Sequence, residues 1–235
     1  MSRLRATPPR DGLDHLREHG YGAPMESASL SGDVREPDRP VECAAESLRR
    51  SLRLARGHFL YESGHHGDLW LDLHSLFVDA PRMREWAAEL ARRARPQRPE
   101  VVCGPMVGGA FLAQLVASEL GAAFVFAERV SDEDSRYRVP TSLRGELATR
   151  RVLLVDDAVN AGSAWRSTLA DVEECGGKLA SLAALLVLGD DAERLARTLS
   201  VPLYSLAKLE RGLWTPGSCP LCRNGQPLTY EALRR

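Results

Sequence analysis

Aromatic side chains are scarce in this chain, at 6% of 235 residues. A single-stranded nucleic-acid platform needs aromatics interleaved with basic residues, and no such pattern surrounds Trp165 or Trp214, which are expected to pack or cover a site. An excess of one charge is lacking too. The 31 Lys and Arg stand against 32 Asp and Glu, so no global field draws the chain toward nucleic acid or an anionic membrane, and any anion site has to be local. No apolar run reaches transmembrane length. The stretch from Met1 to Arg10 holds no apolar core of a signal peptide. Five cysteines, an odd and scattered set, do not make a disulfide framework. A cytoplasmic protein is the expectation.

What is present is the composition of a soluble globular chain, 44% hydrophobic and 27% charged. Its length suits one substantial core with a small appended subdomain. Residues 1–40 are rich in Arg, Pro, Gly and Ser without periodicity and read as a loose N-terminal extension. Residues 41–100 read as N-terminal helices and a covering segment. Ala44, Ala45, Leu48, Leu52 and Ala55 recur at helical spacing with Gly57 as the stop, Leu69, Leu71 and Leu73 alternate as in a strand, and Pro81 opens a second helix. Residues 101–206 form the core of an α/β domain, and 207–235 a tail. Short unalternating apolar runs at 100–103, 123–127, 151–155 and 179–188 are separated by helical segments. That rhythm predicts a parallel sheet with helices on both faces, whose ligands bind at the carboxyl ends of the strands.

The segment Val152-Leu153-Leu154-Val155-Asp156-Asp157-Ala158-Val159-Asn160-Ala161-Gly162-Ser163-Ala164 is a buried strand ending in two carboxylates. Adjacent like charges in a partly dry cleft raise each other's energy unless hydroxyls or a cation meet them, as a ribose diol beside Mg²⁺ would. Gly162 and the helix opening at Ser163 offer backbone N–H groups and a positive helix end, which suit a phosphate. The bland alternative is an acidic doublet that caps a helix or faces water. Gly104-Pro105-Met106-Val107-Gly108-Gly109 lies likewise between a strand and a helix and directs further N–H groups to one place.

An apolar strand, two acidic residues, two apolar residues and a glycine before a helix resemble the signature of the type I phosphoribosyltransferases. Gly-Pro-x-x-Gly-Gly is similar to the orotate branch, and the resemblance spans about Arg56 to Pro227. It covers Gly57-His58-Phe59-Leu60 with Ser63-Gly64, similar to the hood segment over the base, and Ala127-Glu128-Arg129, similar to the strand leading into a mobile catalytic loop. Leu213-Trp214 with Cys219-Pro220-Leu221-Cys222 resembles the tail of one branch.

The resemblance implies a transferase of pyrimidine nucleotide biosynthesis that moves 5-phosphoribosyl from phosphoribosyl pyrophosphate to a nitrogenous base and releases pyrophosphate. It implies Asp156 and Asp157 on the ribose hydroxyls, Asn160, Ala161, Gly162, Ser163 and Ala164 around the 5-phosphate, and Gly104 to Gly109 on the pyrophosphate. Arg129 would assist departure, and Phe59, Ser63 and Gly64 would form the hood. Mg²⁺ would be held through the substrate and by Asp157, in a homodimer.

The sequence departs from the family at four places. Asn160, Ala161, Ser163 and Ala164 differ from the family's Thr-Thr-Gly-Gly-Thr, with Asn160 and Ser163 as substitute donors for the missing threonines. The loop after Arg129 reads Val130-Ser131-Asp132-Glu133-Asp134-Ser135, acidic where the family is basic, with Arg136, Arg138 and Arg144 as substitutes further on. Gly189-Asp190-Asp191 stands where an arginine holds the orotate carboxylate, and Glu62 where the hood has a lysine. Two rivals therefore stay open: a non-catalytic sensor of phosphoribosyl pyrophosphate or a nucleotide, and an enzyme retuned to a neutral or cationic acceptor. Cys219 and Cys222 have metal-ligand spacing for zinc, but no second pair is visible, and a reduced surface turn is the alternative. His65 and His66 read as solvated or substrate-adjacent, and Cys103 and Cys175 as small core residues.

Overall fold

The computed structural model describes residues 43–61, 64–131 and 136–229; the extension expected at 1–40 lies outside them. Six strands form the main sheet: β3 (Val101–Pro105), β4 (Ala123–Arg129), β5 (Tyr137–Arg138), β6 (Arg151–Val159), β7 (Lys178–Leu188) and β8 (Leu203–Leu209). Their order is β5-β4-β3-β6-β7-β8. All neighbours are parallel except β5, which turns back against β4. The predicted parallel sheet is thus present.

Successive residues of a strand point to opposite faces, and here both faces are covered. Leu153 and Val155 of β6 pack into one cluster with Trp86 and Leu90 of helix α2 (Ala80–Ala94) and Leu112 of α3 (Gly108–Leu120). Leu48 of α1 (Ala44–Ser51) joins that cluster. Val152 and Leu154 face the other way, onto Trp165 and Leu169 of α4 (Ser163–Glu174) and Leu195 of α5 (Asp191–Leu199). Two-sided burial is why these strands read as continuous apolar runs. Cys103 is fully buried, and its desolvation pushes the thiol up to about 12, so it is the inert core residue expected.

The chain runs from β3 through α3 to β4 on one side of β3, then returns to place β6 on the other side. The helices leaving β3 and β6 lie on opposite faces of the sheet. This is the topological switch point where doubly wound sheets bind ligands.

A smaller antiparallel sheet combines β1 (Arg53–Leu60), β2 (His66–Asp72) and β9 (Leu213–Trp214) in the order β1-β2-β9. The helical spacing read through Ala55 is overridden here. Helix α1 stops at Ser51, Leu52 is extended, and Arg53 onward pairs with β2. Gly57 falls at the register irregularity between Arg56 and Phe59, so it marks a bulge in β1 rather than a helix end. The hairpin is fastened to the segment after β8: Arg56 Nη2 donates to the Glu210 carbonyl at 3.1 Å, and the Gly212 N–H donates to Asp68 Oδ1 at 2.7 Å.

Leu153 is fully buried between β6 and the first helical layer. Leu153→Ala is expected to lower unfolding free energy by about 2–5 kcal/mol. Denaturant titration would register this as a lower midpoint at unchanged slope, and an unmoved midpoint would contradict the assigned packing.

Candidate active site at the carboxyl edge of the sheet

The structure extends β6 beyond the predicted end at Val155, through Asp156 and Asp157 to Val159. The two carboxylates therefore stand on rigid strand, next to the β3–α3 loop. A Cβ placed on Gly108 would overlap Oδ2 of Asp157, and one on Gly109 would lie 2.6 Å from Oδ1 of Asp156. A Cβ on Gly104 would strike the carbonyl of Gly109. Backbone leaves no room for a side chain at Gly104, and at Gly108 or Gly109 a side chain would displace the carboxylates from the loop. Met106 donates its N–H to the Ala127 carbonyl at 2.7 Å, tying the loop to the end of β4, and the Met106–Val107 peptide is cis.

Asp156 is buried and Asp157 half-buried, so neither is a solvated surface acid, and the cap position of α4 is held by Gly162. Asp157 donates its N–H to Asp156 Oδ1 at 3.0 Å, and Ala158 donates to Asp157 Oδ1 at 2.8 Å. Burial, and then the charge of Asp157, push the Asp156 carboxyl well above the usual carboxylate range. Burial also raises Asp157, against the opposing pull of the Ala158 N–H.

The loop 160–162 leads into α4. Gly162 has φ +75°, and no side chain caps the helix, which leaves its first N–H groups for a ligand. Asn160 Oδ1 is buried without a hydrogen-bond partner among the described residues, which is costly unless something brings a donor. Ala161 and Ser163 are exposed and Ala164 half-buried, with Arg166 Nη1 donating to the Ala161 carbonyl at 2.6 Å. Carboxylate oxygens beside a glycine cradle suit Mg²⁺, which favours hard oxygen ligands and keeps much of its shell on substrate and water.

Other predicted residues are distributed unevenly. Arg129 is exposed at the end of β4, two residues past the Ala127 carbonyl that holds the glycine loop. Arg144 does not serve as a substitute cation: it pairs with Asp171 at 3.1 Å and Glu174 at 3.2 Å on α4. Phe59 is buried, its ring 6.1 Å from that of Trp70, so it packs the hairpin. Gly64 is exposed at φ +75°; Glu62, Ser63 and 132–135 lie outside the described residues. His66 is buried rather than solvated, and Cys219 is buried rather than part of a surface turn.

Sequence reading missed Arg211. Its guanidinium lies 3.5 Å from where a Cβ of Gly189 would be, its Nη2 donates to Asp191 at 2.9 Å, and its Nε is buried without a partner among the described residues. A helix and a strand separate Arg211 from Gly189 in the chain, so only the fold brings them together. Asp190 is likewise met by Lys208, at 2.5 Å.

A carboxyl whose folded pKa lies above its unfolded value favours the folded state while protonated, and that contribution is lost as pH rises through the folded pKa. The pair therefore destabilises the ligand-free chain at neutral pH. Asp156→Asn is expected to raise the melting midpoint there, and the gain should shrink as pH falls toward the ordinary carboxylate value of 3.8. Thermal unfolding across that range measures it; coincident midpoints at neutral pH would refute the assigned burial.

Residues 79–207 match the model of the phosphoribosyl transferase domain. An orotate phosphoribosyltransferase from Caldanaerobacter subterraneus is 31% identical over 180 residues, 77% of this chain and 90% of that protein. An orotate phosphoribosyltransferase from Thermus thermophilus is 31% identical over 185 residues, 78% and 96% of the two chains. Among solved structures, orotate phosphoribosyltransferase from Aeropyrum pernix aligns with TM-score 0.54 at 22% identity, over 70% of this chain and 93% of that one. Adenine phosphoribosyltransferase from Thermoanaerobacter pseudethanolicus aligns at 0.56 and 20%, over 70% and 99%. With its doubly wound sheet, its acidic pair and its two amide-lined loops, this chain belongs to the phosphoribosyltransferase family.

Proposed function

We propose that the chain transfers 5-phosphoribosyl from phosphoribosyl pyrophosphate to a ring nitrogen of orotate or a similar pyrimidine base. The base nitrogen forms a bond to ribose C1 and yields its proton to solvent, while the C1–O bond to pyrophosphate breaks and its electrons leave with that group. The carrying observation is the meeting of two β6 carboxylates with the side-chain-free backbone of Gly108–Gly109.

Asp156 and Asp157 would accept hydrogen bonds from the ribose hydroxyls, and their charge favours the positive character that develops at C1. The 160–164 loop, Asn160 to Ala164, would hold the 5-phosphate with the N–H groups of α4, and Gly104 to Gly109 the pyrophosphate. Arg129 would offset charge on the leaving group. Asp157, together with the substrate, would hold Mg²⁺, which would supply further neutralisation of pyrophosphate when bound. The working unit is taken as a cytoplasmic homodimer on the family resemblance.

The turn after β7 supports an anionic acceptor better than its sequence suggests. Both of its carboxylates are ion-paired, Asp190 with Lys208 and Asp191 with Arg211 and Arg194. Paired carboxylates repel an anion far less than bare ones. Arg211, whose side chain is 7% exposed, adds a guanidinium with an unmet donor.

Pyrophosphate release with a panel of bases tests the reaction: turnover with orotate is expected, and absence of turnover with every base would leave the sensor reading. Calorimetric titration with phosphoribosyl pyrophosphate and Mg²⁺ should show Asp157→Asn binding about 10- to 100-fold more weakly, the worth of hydrogen bonds to a charged group. Equal affinity would sink the site. Arg211→Met should raise KM for orotate while leaving the affinity for phosphoribosyl pyrophosphate unchanged, and an unchanged orotate KM would remove Arg211 from acceptor binding.

A further inference from the structure

Away from the acidic pair, four side chains that bind soft or borderline metals converge under the hairpin. They are His58 on β1, His66 at the start of β2, and Cys219 and Cys222 at the short helix α6 (Pro220–Arg223). One ligand atom from each lies within 4.8 Å of all the others. His58 Nε2 is 3.0 Å from His66 Nδ1, 3.4 Å from Cys219 Sγ and 3.7 Å from Cys222 Sγ, and Cys222 Sγ is 3.2 Å from His66 Nδ1. Tetrahedral zinc, with bonds of about 2.0–2.1 Å to nitrogen and about 2.3 Å to sulfur, spaces its ligands about 3.3 to 3.8 Å apart. The four observed spacings, from 3.0 to 3.7 Å, lie within a few tenths of an ångström of that shell.

The supporting contacts have the same character. His58 Nδ1 lies 2.9 Å from the Gln226 carbonyl, an acceptor only, so the proton sits on Nδ1 and the Nε2 lone pair faces the cluster. A backbone carbonyl on the far nitrogen is how metal-bound histidines are usually oriented. His58 is 2% exposed, His66 6% and Cys219 1%, while Cys222 is exposed and leaves a path for the ion. Gly225 after the second cysteine takes φ +69° and donates its N–H to the Cys222 carbonyl at 3.0 Å, which closes the turn.

We propose that His58, His66, Cys219 and Cys222 form a structural Zn²⁺ site that clamps the C-terminal segment onto the β1–β2 hairpin. The sequence shows only the Cys-x-x-Cys half, because the two histidines lie more than 150 residues upstream and are brought in by the hairpin. All four positions are filled by protein, so the site is closed and its role is cohesion rather than chemistry. Backbone pairing brackets it. Leu213–Trp214 pair with His66–Gly67 on one edge. On the other, Thr229 donates to the His58 carbonyl at 2.7 Å and accepts from Leu60 at 3.2 Å.

The test uses the full chain purified under reducing conditions, with metal content by plasma mass spectrometry. About one zinc per chain is expected, released by a thiol-binding mercurial together with two protected thiols. Cobalt exchanged into the site should give the intense d–d and thiolate charge-transfer bands of a tetrahedral sulfur-ligated centre. Cys222→Ser, at an exposed position, should abolish both while the far-ultraviolet circular dichroism persists. Hydrogen exchange should then rise in 213–229 and 58–67 but stay unchanged in β6 and β7. A reduced parent chain that holds no zinc and gives no cobalt–thiolate band overturns the proposal, as does a Cys222→Ser variant that keeps its metal.

Discussion

Two carboxylates and a stretch of bare backbone occupy the same few ångströms at the carboxyl edge of β3 and β6. Any side chain at Gly108 would occupy the space of an Asp157 oxygen. The approach is close because Gly108 and Gly109 present bare backbone to the acids, and the acids are held in place because they belong to a strand paired along its length to β7. That strand is rigid because two helical layers bury it on both sides. The local unfavourable charge is therefore maintained by packing several layers deep, as is common where binding rather than stability has shaped a site.

Much of this was legible in the residues. Strands buried on both faces announce themselves as apolar runs, and a glycine-rich turn between strand and helix, a weak signal alone, gains weight on the same sheet edge as an acidic pair. Asp156 and Asp157 were visible because a charged doublet after such a run is energetically conspicuous. Their adjacency to Gly108 was not, since it depends on β6 inserting beside β3 rather than following β4 across the sheet.

What stayed hidden was long-range in every case. Local periodicity favoured a helix through Ala55, but cross-strand pairing with β2 governs that stretch. Arg144 was a free cation in sequence and is an anchor for Asp171 in the fold. Arg211 had no motif around it, and its significance arises from a turn that a different α/β unit supplies. The four metal-binding side chains split into two unremarkable pairs along the chain. Histidines in a hairpin and a Cys-x-x-Cys in a tail each have a bland explanation until the small sheet brings them together.

The small sheet takes its third strand and its lower fastening from the far end of the polypeptide, with His58 meeting Gln226 across 168 positions. Loss of the segment after Leu209 would therefore remove the third strand of the small sheet and the Gln226 partner of His58 while sparing every strand of the main sheet.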